Sequence, residues 1–69
     1  MIVTRVGLLE DEPEYYILEI LSDNSEVLQI LEVIAKYLRK KGIDVVHLVE
    51  YGTDLLGIQI KVEKKEGEA

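Results

Sequence analysis

The sequence predicts an α+β protein, a single ββαββ domain in which one helix packs on a four-stranded, mainly antiparallel sheet. One stretch, residues 23–41, repeats apolar side chains at the spacing of one helical face. The segments before and after it alternate between two faces as strands do, and turn-forming residues divide each segment into a pair. We assign residues 1–63 to this domain and expect residues 64–69 to form a charged flexible C-terminal tail.

The first predicted strand is residues 2–9, with Ile2, Thr4, Val6 and Leu8 on one face. A turn follows at residues 10–14, where Pro13 restricts the backbone. The turn also carries the carboxylates Glu10, Asp11, Glu12 and Glu14. No glycine-containing loop gives them the alternating spacing of a calcium site, so we interpret them as a solvated hairpin tip.

The second predicted strand, residues 15–21, is apolar on both faces. One face carries Tyr16, Leu18 and Ile20, and the other carries Tyr15, Ile17 and Leu21, broken only by Glu19. A strand of this kind is covered on both sides. Two explanations stay open: a central strand whose outer face meets a partner, or an edge strand that pairs with a second chain.

The predicted helix has signals at both ends. Asp23 as N-cap with Glu26 three residues later is the pattern of a capping box. The rival caps are Ser22, Asn24 and Ser25. Basic residues up to Lys41 compensate the helix dipole, and Gly42 then ends the helix.

The helix is apolar over too wide an arc for one sheet. Its apolar residues cover roughly 220° of the helix circumference, whereas a helix lying on one sheet needs little more than about 100°. Val33 and Tyr37 belong to the surplus. The surplus predicts contact with a partner, because large exposed apolar patches mark interaction sites.

Residues 43–51 form the third predicted strand and residues 55–63 the fourth, joined by a turn at residues 52–54. The fourth alternates most regularly, with Leu56, Ile58, Ile60 and Val62 on the inward face. The strand order stays open between an all-antiparallel 2-1-3-4 and a mixed 1-2-3-4.

Composition limits the possible functions. The chain has no cysteine and one histidine, so we expect no disulfide, no metal site and no cofactor. A net charge of −6 disfavours nucleic acid and anionic membranes as partners. No apolar run is long enough to span a membrane and the first residues do not resemble a signal peptide, so we expect a cytoplasmic protein. Enrichment in Glu and Lys favours a thermophilic or archaeal source.

Catalytic residues are not apparent. His47, the single histidine, lies between Val45 and Val49 on a strand and has no serine or cysteine near it in sequence. A structural role is the better interpretation. We therefore predict that the protein is not an enzyme.

The sequence instead predicts a homodimeric protein–protein interaction or assembly module. The predicted interface residues are Tyr15, Ile17, Leu21, Val33 and Tyr37. Two-fold self-association is the simplest way to cover them, although another protein is a possible partner. Whether the dimer forms by a sheet edge, a sheet face or the helix stays open.

The alternative prediction is a nucleic-acid-binding protein. It uses basic residues at the helix end and on the fourth strand, namely Arg39, Lys40, Lys41 and Lys61, with Lys64 and Lys65 beyond them. Tyrosines on the sheet would stack bases. Dipole compensation by the helix residues and a solvated tail explain the same charges without a nucleic acid.

Overall fold

Four strands and one helix, in the order ββαββ, make up residues 1–64, the part of the chain that this computed structural model describes. The elements are β1 Ile2–Leu8, β2 Tyr15–Ser22, α1 Ser25–Lys40, β3 Val45–Val49 and β4 Leu56–Glu63. The predicted α+β class and element order are confirmed.

The strands form one sheet in the order β1-β2-β4-β3, and every neighbouring pair is antiparallel. Both orders that the sequence left open are therefore wrong. The two strands of eight residues, β2 and β4, pair along their whole length at the centre. The inward residues of β4, Ile58 and Ile60, are buried in the cluster under α1.

The third strand is shorter than predicted and lies at an edge. Ile43 donates its backbone N–H to Leu38 at the end of α1, and Glu50 donates its own to Leu55 in the loop before β4. Both ends of the predicted strand 43–51 are therefore used by neighbouring elements, and β3 keeps only Val45–Val49.

The helix begins at a different cap from the one predicted. The side chain of Asn24, and not that of Asp23, accepts the backbone N–H groups of Glu26 and Val27, at 2.8 and 3.3 Å. Asp23 instead contacts the N-terminal ammonium group at 3.4 Å.

The helix ends as predicted at a glycine. Gly42 has a φ of 81°, in the left-handed region, and its N–H donates to Arg39, while the N–H of Ile43 donates to Leu38. These two bonds make a Schellman motif, which satisfies carbonyl groups that the helix end would otherwise leave free.

The core lies between α1 and the inner face of the sheet. Its buried members are Leu31, Ala35, Val45, Ile58 and Ile60. The helix packs on β2, β4 and β3, so it lies over the β3 side of the sheet and not over β1.

The outer face of the sheet is covered in part by the β3–β4 loop. Glu50 in this loop reaches the guanidinium group of Arg5 at 3.1 Å, although β1 and β3 are opposite edges of the sheet. The loop therefore crosses the end of the outer face at which Leu21 and Leu55 are buried. Arg5 also pairs with Glu19 at 3.2 Å, and Glu19 accepts a hydrogen bond from Gln59, so the centre of this face is polar.

The predicted tail begins at Lys64, whose backbone N–H donates to Glu14 at 2.8 Å. The remaining residues of that prediction, 65–69, lie outside the described residues.

Candidate interaction surface

The solvent side of α1 carries a row of exposed apolar side chains. Ile30, Val33, Ile34 and Tyr37 follow one another at spacings of three, one and three residues, which places them on one flank. Val33 is 68% exposed and Tyr37 is 60% exposed. The ammonium group of Lys41 lies 5.5 Å from the centre of the Tyr37 ring, at the end of this row. We call these four residues the apolar stripe of α1.

The opposite flank of the helix is tied to β3. The guanidinium group of Arg39 donates two hydrogen bonds to the carbonyl group of Val45, at 3.0 and 3.2 Å. Glu32, which lies on the same flank, contacts His47. Because this flank faces the β3 edge, Ile30, Ile34 and Tyr37 lie on the flank toward the β1 edge.

The inner face of β1 is also exposed. In register, Val6 lies beside Leu18 and Leu8 beside Tyr16, and Leu18 packs against the core under α1. Ile2, Val6 and Leu8 therefore point to the same side of the sheet as the helix. They are uncovered because α1 lies over the other strands, and Leu8 is 74% exposed.

The structure separates the five predicted interface residues. Val33 and Tyr37 lie together on the apolar stripe. Tyr15 and Ile17 are half-buried on the opposite, outer face of the sheet. Leu21 is fully buried within the chain, with 0% exposure, and so has no surface to offer a partner.

The exposed residues of β1 were missing from the sequence prediction. Alternation places Ile2, Val6 and Leu8 on one face of the strand, but it does not say whether the helix covers that face. The sequence contains no signal for the lateral position of α1 on the sheet. Exposure at β1 follows from the strand order, which the sequence left open.

The basic residues of the alternative prediction do not form one free patch. Arg39 is bound to the backbone of β3, and Lys61 lies on the outer face, where its ammonium group pairs with Glu12 at 2.7 Å. Lys61 also lies 4.4 Å from the ring of Tyr15. The hydrogen bond with Glu12 raises the pKa of Lys61 above its ordinary value. Lys40 and Lys41 are exposed at the helix end, and Lys65 lies outside the described residues.

A pocket of about 220 Å³ opens on the β3 side of the helix. Its apolar lining consists of Leu28, Leu31, Leu48, Val49, Leu56 and Ile58. The polar groups in its lining are the paired Glu32 and His47, both about half-exposed. The pocket lining holds no serine, threonine or cysteine that this pair would activate.

Within residues 1–64, no group of three or more His, Asp or Glu side chains is arranged to hold a metal ion. In the same part of the chain, no helix has both the length and the apolar character needed to cross a membrane.

Comparison of the chain with protein-family models, with curated proteins and with solved structures finds no match. A functional proposal therefore depends on the geometry of the chain itself. The feature that most needs explanation is the apolar stripe of α1 beside the exposed face of β1.

Proposed function

We propose that the protein is a homodimeric protein–protein interaction or assembly module. The observation that carries the proposal is the apolar stripe of α1, whose side chains are open to water in the single chain. Exposed helix positions are normally polar, and a contiguous apolar patch on a soluble surface marks an interaction site.

The charge of the chain supports a protein partner. With 14 acidic and 8 basic residues, the surface repels phosphate backbones and anionic lipids. The apolar stripe is complementary to another apolar surface and not to a polyanion. A second copy is the simplest source of such a surface, because two-fold homodimers are the commonest closed assemblies.

We place the module in the cytoplasm. Small domains of secreted proteins commonly depend on disulfides, and this chain has no cysteine. A chain of 69 residues without disulfides gains stability from self-association instead.

Thermal unfolding tests the proposal, because a dimer is stabilised by its own concentration. We expect the unfolding midpoint of the wild type to rise with each tenfold increase in protein concentration. Val33→Gln should weaken or abolish this dependence, because it replaces an exposed apolar residue of the stripe by a polar one. Glutamine is also at least as good a helix former as valine, so the helix itself is preserved.

Lys36→Gln is the matched control, since Lys36 is an exposed residue of the same helix outside the stripe. It should leave the concentration dependence unchanged. A wild-type midpoint that does not vary with concentration would count against self-association.

A further inference from the structure

The apolar stripe and the exposed face of β1 border a single open channel. Ile30, Ile34 and Tyr37 of the stripe form its wall, and Ile2, Val6 and Leu8 form its floor. We call this feature the α1–β1 channel. It is separate from the pocket on the β3 side of the helix.

The spacing of the strands leaves room for one helix beside α1. Since α1 packs on β4 and on both of its neighbours, it is centred near β4, two strands away from β1. Two strand spacings amount to about 10 Å. Packed helices have axes roughly 8–10 Å apart, so a second helix lying over β1 would be in packing contact with α1.

Residues 1–64 contain one helix, α1, which already packs on its own sheet, whereas a second copy of the chain offers an α1 with the same apolar stripe. The seven exposed apolar side chains of the stripe and of the β1 face offer on the order of 700 Å² of accessible surface, close to the roughly 800 Å² that each partner buries in a standard interface. Complete burial of these seven side chains would approach the size of a standard interface.

We infer that the α1 helix of a second copy occupies the α1–β1 channel, so that two α1 helices lie side by side between two sheets. The inference rests on the proposed self-association and specifies its surface. Around such a helix, one side meets its own sheet, the next meets the other helix, and the third meets the partner's β1.

The residues of α1 follow this order. Leu31 and Ala35 face their own sheet, and Ile30 and Ile34 face the channel. Val33 lies on the side of the helix opposite the core, the side that would meet the β1 strand of the second copy. The arrangement thus accounts for an apolar arc of roughly 220°, which one sheet leaves unexplained.

Two-fold symmetry makes the geometry testable. With the axis running along the seam between the helices, equal residues of the two copies face one another, so Ile34 lies near Ile34 of the second copy. Facing residues of packed helices come within the range of about 4.4–6.8 Å between Cα atoms that a disulfide bridges. The chain has no cysteine of its own, so a disulfide formed by one introduced cysteine joins the same position in two copies.

Oxidation of Ile34→Cys and Lys36→Cys, each at low micromolar concentration, gives the decisive comparison. We expect Ile34→Cys to form a covalent dimer, detected by mass under non-reducing conditions. Lys36→Cys, on the polar flank of the same helix, should stay mostly monomeric under the same oxidant. Equal cross-linking of both variants, or none of either while the wild type is a dimer, would overturn the inference and leave self-association standing.

A second pair of variants tests, without oxidation, whether the β1 residues that form the floor of the channel lie in the dimer interface. Leu8→Lys places a charge in the channel and should raise the dimer dissociation constant about tenfold or more. Val46→Lys is the control, because Val46 is 53% exposed on β3, at the opposite edge of the sheet. If only Val46→Lys dissociates the dimer, the channel is not the interface. If the wild type is already a monomer, the proposed function itself fails.

Discussion

At the scale of single residues, the start of α1 distinguishes Asp23, the predicted N-cap, from its rival Asn24. Asp23 and Asn24 are both good N-caps, and each is followed by residues suited to a first turn. Ser22 decides between them, because its buried hydroxyl group donates to the carbonyl group of Met1 at 2.7 Å and accepts the N–H of Asn24 at 3.0 Å. This bonding holds the chain so that Asn24, one residue later, caps the helix.

Replacement of these two residues should therefore have unequal effects. Asn24→Ala removes the acceptor of two backbone N–H groups and should lower the free energy of unfolding by about 1 kcal/mol. Asp23→Ala removes only an exposed contact with the terminal ammonium group and should cost well under about 1 kcal/mol. Urea denaturation of both variants measures the difference. The reverse order of the two losses would show that Asp23 is the cap.

Gly57 is required by the close approach of two strands. A methyl carbon at this position would overlap the carbonyl oxygen of Ile20 and lie 2.7 Å from the Cα atom of Leu21. The backbones of β2 and β4 must move apart to admit it, so Gly57→Ala should destabilise the domain by about 3 kcal/mol or more.

Gly7→Ala is the control for this substitution, because no atom lies within 4 Å of the position that its methyl carbon would take. Its unfolding free energy should change by less than about 1 kcal/mol, with stabilisation the expected sign, since alanine restricts the unfolded chain more than glycine does. Similar losses at the two glycines, measured by urea denaturation, would contradict the close approach at Gly57.

The ion pair of Lys61 with Glu12 gives a pH-dependent prediction. The pKa of Lys61 is raised above the ordinary value of 10.5, so the pair contributes fully below that value. The contribution is lost as the pH rises through the raised pKa. Between about pH 8 and about pH 12, the wild type should lose more unfolding free energy than Lys61→Met does.

Lys36→Met controls for the general effect of alkaline pH, because Lys36 is exposed and lies on the polar flank of α1. Its loss of stability over the same range should equal that of the wild type. Chemical denaturation at each pH measures the free energy of unfolding of the three proteins. If all three lose the same amount at alkaline pH, the Lys61–Glu12 pair contributes nothing to stability.

At the scale of elements, the sequence was sufficient for the kind and order of the strands and the helix. Apolar residues recur at every second position in a strand and at every third or fourth position in a helix. Each segment therefore shows its type in its own residues. The ends of the elements were less certain, because they depend on hydrogen bonds to neighbouring elements of the chain. Residues 43 and 44 look like strand, yet Ile43 bonds to the end of α1 and β3 begins only at Val45.

The strand order could not be predicted, because it depends on competition between whole strands. β3 and β4 both offer apolar inward faces, and the sequence does not rank them. The structure places β4 in the centre, where it pairs over eight residues with β2 and over five with β3. In this sheet α1 packs on β2, β4 and β3, which leaves Val6 and Leu8 of β1 uncovered.

The sequence therefore predicted only part of the exposed apolar surface. Val33 and Tyr37 are exposed on α1, in the excess apolar arc that is visible in the sequence of the helix itself. Leu21 was misplaced, because the folding of the β3–β4 loop over the outer face is a contact between distant segments, made through Arg5 and Glu50.

At the scale of the whole molecule, a small chain has left a large apolar area outside its core. In residues 1–64, α1 covers one sheet face over β2, β4 and β3, and the polar network around Glu19 occupies the centre of the other face. The net charge of −6 does not cover the apolar side chains of the α1–β1 channel. In the proposed dimer, a second copy would cover the channel and add stability to a domain of 69 residues.

Sedimentation equilibrium of the wild-type chain, over protein concentrations from about 1 to about 100 µM, tests self-association most directly. The account predicts that the weight-average mass approaches twice the 7.9 kDa of one chain as the concentration rises. A mass of 7.9 kDa at every concentration would contradict it, because the apolar stripe and the β1 face would then be exposed to water in the functional protein.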